Sequence, residues 1–61
     1  MYIKGETVRI TKTQKEGIVI EIDSSTLFIS TGGFYYTSTY LVSVDSEDDR
    51  WYYIGELEPV N

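Results

Sequence analysis

The chain has neither cysteine nor histidine among its 61 residues. Without cysteine no disulfide can staple the fold, and thiol usage says nothing about the compartment. Structural zinc is held mainly by those two residue types, so an ordinary zinc site is excluded. Histidine- and cysteine-based nucleophile systems fall with them, and no serine has a base beside it. Basic residues are scarce: five Lys and Arg stand against ten Asp and Glu, a net charge of −5. That balance opposes the basic footprint of a protein gripping nucleic-acid phosphates. Long apolar runs are also missing. Nothing approaches the roughly 20 residues that cross a bilayer, and MYIKGETV carries no signal-peptide pattern. The expectation is a soluble, cytoplasmic protein with no membrane partner.

Aromatic side chains fill the gap. One tryptophan, six tyrosines and two phenylalanines supply much of the volume that a small core needs. The expected organisation is a single domain, 1–61, near the lower size limit for folding without a staple. Such a chain buries only about 60% of the surface it exposes when unfolded.

The stretch 39–60, TYLVSVDSEDDRWYYIGELEPV, organises the rest. Tyr40, Val42 and Val44 alternate with Leu41, Ser43 and Asp45, the period of a half-buried strand. Ser46 to Asp49 breaks the pattern with three carboxylates and suits a solvated turn. Arg50 to Ile54 returns as an aromatic strand. Gly55 stops it, Glu56-Leu57-Glu58 turns, and Pro59-Val60 closes as an edge piece. A single 3₁₀ turn over 54–57 is the only helical feature expected.

Earlier in the chain, Thr7 to Thr11 alternates with Val8 and Ile10 on one face, and 12–16 is a polar loop. Gly17 then supplies a positive φ or a bulge. In Gly17 to Asp23 the spacing puts Ile18, Ile20 and Ile22 on one face. Asp23-Ser24-Ser25 signals a turn. Thr26–Thr31 and Phe34–Thr39 pair across Gly32-Gly33 as an extra hairpin within 24–39. Phe34–Thr39 either runs on into Tyr40–Val44 as one bent strand or breaks near Ser38. The fold class is all-β, and the expected core is Val8, Ile10, Ile18, Ile20, Ile22, Val42, Val44 and Leu57.

GETVRI (5–10), GIVIEID (17–23), YLVSV (40–44), WYY (51–53) and ELEPV (56–60) together resemble an SH3-like small β-barrel of five strands. The likeness is to the KOW and Tudor-type versions and to many small bacterial and phage proteins, and it covers nearly the whole chain except 24–37. The departures are the added hairpin and the acidic balance, which contrasts with the basic loops by which KOW-type modules touch RNA. Barrels of this kind serve as docking surfaces, often for peptides. The resemblance also implies that Tyr52 points inward, about five positions before the apolar anchor Leu57, leaving Trp51 and Tyr53 exposed.

The resulting functional expectation is a non-catalytic docking module for a protein or peptide. It needs no cofactor, no metal and no catalytic residue, and its partner-binding residues are Trp51, Tyr53, Tyr35 and Tyr36. Exposed Trp and Tyr are typical binding hot spots. Asp45, Glu47, Asp48 and Asp49 lack the glycine and terminal glutamate of an EF-hand loop and read as a solvated turn, with Arg50 pairing to one of them. Two other readings stand beside docking. One is an acidic inhibitor or mimic that occupies a nucleic-acid-binding protein. The other is a nucleic-acid-associated adaptor using Arg9, Lys12 and Lys15.

Overall fold

The computed structural model describes residues 1–60, apart from the side chains of Thr26, Phe28 and Ser30. Its strands are β1 (Thr7–Ile10), β2 (Glu16–Ser30), β3 (Gly33–Ser43), β4 (Arg50–Tyr53) and β5 (Leu57–Pro59), with one 3₁₀ turn at Ile54–Glu56. All pairings are antiparallel and the sheet order is β4-β3-β2-β1-β5. The all-β expectation holds. Closure into a barrel is looser than expected, because β4 and β5 are the two edges of the sheet and do not pair. The 3₁₀ turn connects them, and its Glu56 carbonyl accepts from the Thr11 N–H at 3.0 Å. The closing strand starts at Leu57 and not at Pro59. Pro59 sits opposite Val8 on an edge strand, where a missing N–H costs no ladder bond to a further strand.

The extra hairpin is present as the far end of β2 and β3. Pairing runs without a break from Thr26↔Thr37 to Ser30↔Gly33, so β3 is one long strand. The two loop residues are Thr31 and Gly32, one position earlier than expected. Gly33, at φ 126°, carries the positive φ as the first residue of β3. On the hairpin side of Thr39, residues 33–38 of β3 have no pairing with β4, and β2 pairs with β1 only as far as Ile18. The hairpin therefore projects, and the molecule measures 36 × 22 × 20 Å.

The core is Tyr2, Val8, Ile10, Val19, Tyr40, Val42, Val44 and Leu57, with Ile22 and Tyr52 packed against it. Val8, Val19 and Val42 are wholly shielded, and each contributes about 1.5–3 kcal/mol by leaving water. Two expected core residues are corrected: Ile18 and Ile20 are 47% and 40% exposed. The register explains it. Val19 faces Val42, and Glu21 faces Leu41, so the ladder shifts at Ile20. That bulge places an extra residue on β2 and resets the alternation. Gly17 and Val19 point inward before it and Ile22 after it, a pattern no strict period of two reproduces.

Gly17 has neither of the expected roles. Its backbone has no positive φ, and the bulge lies three residues on. It is small because a Cβ there would lie 2.6 Å from both the Ser43 carbonyl oxygen and Val42 Cγ1. Gly5, at φ 89°, takes a turn that favours glycine. Its N–H donates to the Val19 carbonyl at 2.7 Å, and the Val19 N–H donates to Glu6 at 3.0 Å. This turn carries Tyr2 into the core and leaves Ile3 outside.

Candidate functional site

β4 divides its side chains by its partners on β3. Tyr52 stands opposite the buried Tyr40 and packs against the core, as expected. Trp51 stands opposite Leu41 and Tyr53 opposite Thr39, on the other face of the sheet. Both remain in contact with water, Trp51 at 49% and Tyr53 at 38% exposure. The rows continue onto β2: Trp51–Leu41–Glu21 and Tyr53–Thr39–Asp23. The outer face thus carries two aromatics on an edge strand with two carboxylates behind them.

Tyr35 shares this outer face by strand parity, about 13 Å along β3 from Thr39, and it is exposed. Tyr36 does not. Alternation turns it to the opposite face, the one that bears Tyr40 and Val42. The four expected partner-binding residues therefore separate into an outer set, Trp51, Tyr53 and Tyr35, and Tyr36 alone on the inner side.

Tyr36 has company that sequence reasoning missed. Leu27 pairs with Tyr36 and Ile29 with Phe34, and all four side chains are exposed on the inner face of the hairpin. A polar waist separates them from the core, where the Ser38 hydroxyl donates to Ser24 Oγ at 3.4 Å. One signal for this patch was available: from Ser24 to Val44 the chain has no charged residue.

The chain matches no family model, no curated protein and no solved structure.

Three of the five basic residues are engaged by carboxylates. Arg9 reaches Glu58 at 3.1 Å and Glu16 at 3.3 Å, and these hydrogen bonds raise its pKa above the usual guanidinium value. Lys4 lies 3.0 Å from Glu21. Its hydrogen bond, helped by the Ile22 N–H, holds the Glu21 carboxyl below its ordinary range. Lys15 pairs with Glu47. Of the set Arg9, Lys12 and Lys15, two are thus neutralised at close range. Arg50 forms no ion pair with the acidic turn among the described residues, contrary to expectation; Glu47 is held by Lys15 instead. Arg50 and Lys12 both line a cavity of about 500 Å³ with Ile10 and Tyr52.

Asp23 on the outer face accepts from the Ser25 N–H at 2.9 Å and from the Ser25 hydroxyl at 2.8 Å. Both bonds favour its ionised form and lower its pKa. The carboxylates behind Trp51 and Tyr53 are therefore anionic at neutral pH. Among the described residues no cluster of carboxylates could hold a metal ion, and no helix is long and apolar enough to cross a membrane.

Proposed function

We propose that this chain is a small SH3-like β-barrel that acts as a non-catalytic docking module, binding a protein or peptide through Trp51 and Tyr53 with help from Tyr35. The SH3-like reading is supported by the meander order β4-β3-β2-β1-β5, by a long β2 that pairs with both β1 and β3, and by the 3₁₀ turn between β4 and β5. The observation that carries the docking role is the exposure of Trp51 and Tyr53 side by side on an edge strand. Large amphipathic rings there offer area at low entropic cost, the usual make-up of a hot spot.

The surroundings select the partner. Asp23 extends the Tyr53 row and is ionised, whereas Glu21, behind Trp51, is already paired with Lys4. An apolar or aromatic anchor flanked by Lys or Arg fits such a surface, since the rings also attract cations. The test is a random peptide library panned on the immobilised chain. Selected peptides should combine an apolar anchor with basic residues and should lose about 30-fold in affinity on Trp51→Ala. Peptides that bind the Trp51→Ala variant as well as the parent would refute the assignment of this face.

A further inference from the structure

We infer that the inner face of the projecting hairpin is a self-association surface, occupied by the same face of a second copy. Leu27, Ile29, Phe34 and Tyr36 form two cross-strand pairs, and each is between 47% and 74% exposed. They leave on the order of 500 Å² of apolar surface in one patch, at the upper end for a monomer. A two-stranded hairpin without a covering layer is only marginally stable in water. Covering this face with a matching apolar surface would stabilise it.

Charge identifies the occupant. Each copy carries a net −5, so most of its surfaces repel a second copy. The segment from Ser24 to Val44 is the exception, with no charged residue. A two-fold axis running across the strands lays two hairpins antiparallel, tip over base. The Leu27–Tyr36 pair of one copy then covers the Ile29–Phe34 pair of the other, and the acidic bodies lie at opposite ends. Such an interface is self-complementary. Two faces in contact remove on the order of 1,000 Å² from water, the threshold for a specific interface. This surface lies opposite the Trp51 face, so it is independent of the docking role.

Sedimentation equilibrium of the full chain over a concentration series provides the test. The expected result is a mass that rises toward twice 7.0 kDa, with tighter association at higher salt, which screens the repulsion between the bodies. Phe34→Glu should weaken association about a thousandfold, because both copies lose the same anchor. Ile3→Glu makes the same charge change at an exposed apolar site outside the hairpin and should leave association intact. Should Phe34→Glu lose its β-sheet circular dichroism, Ile29→Lys gives the same reading. A monomeric mass at every concentration overturns the proposal. So does a dimer that survives the hairpin substitution or dissociates equally with Ile3→Glu.

Discussion

Tyr2 stands edge-on to Tyr40, their ring centroids 5.4 Å apart and their planes at 79°. The pair ties the start of the chain to the middle of β3, and both rings are buried. Edge-to-face pairs add about 0.5–1.5 kcal/mol beyond the area they bury. Tyr2→Ala should therefore cost about 3–5 kcal/mol, much of the stability of so small a domain. Ile3→Ala, one residue on but exposed, should stay within about 0.5 kcal/mol of the parent. Urea melts of the two variants check this; a Tyr2→Ala variant as stable as the parent would place Tyr2 outside the core.

The same residue gives a pH dependence. Burial, and then the negative charge of Glu6, push the Tyr2 hydroxyl above the ordinary tyrosine value, which is about 10. The protonated phenol is neutral, so the fold holds this proton more tightly than the unfolded chain does. Its contribution is complete below the unfolded pKa and is lost as pH rises through the folded one. Stability should fall above about pH 10, and Tyr2→Phe should reduce that fall. Melting temperatures at neutral and alkaline pH measure the difference.

Gly17→Ala should destabilise the chain by about 1–3 kcal/mol or more, as overpacking does. The added methyl meets the Ser43 carbonyl and Val42, and a backbone oxygen yields less readily than a flexible side chain. Gly55→Ala, where a Cβ meets nothing, is the matched comparison. Equal stability of the two variants would contradict the close approach at Gly17.

Val19→Ala should cost about 2 kcal/mol or more, and Ile20→Ala about 1 kcal/mol or less. Chemical denaturation ranks them. The reverse order would restore the alternation that the sequence suggests and remove the bulge.

This pair of variants marks where legibility ends. Val8, Ile10, Val42 and Val44 were readable because their strands keep period two where it was assigned; Leu57 came with the resemblance, as the barrel's apolar anchor, and opens β5 where a turn was expected. On β2, isoleucines at 18, 20 and 22 outrank Val19 in any pattern of apolar residues. A bulge is fixed by how β2 pairs with β3, which is a long-range fact. Tyr2 was hidden because its burial depends on the turn at Gly5. The hairpin was legible from turn residues between two β-rich runs, although its loop lies one position earlier. Alternation put Trp51 and Tyr53 on the face opposite Tyr52, and the resemblance to an SH3-like barrel, which turns Tyr52 inward, made their exposure expected. The inner patch of Leu27, Ile29 and Phe34 was not, because alternation does not say that these strands project beyond the core.

Trp51 is the only tryptophan, so its fluorescence reports on the proposed docking face alone. In the free, folded protein its emission should be that of a water-exposed indole, open to quenching by acrylamide. On adding a selected peptide the emission should shift to the blue and quenching should weaken, in step with peptide saturation. A peptide that saturates the protein while leaving Trp51 emission and quenching unchanged would contradict docking at this face.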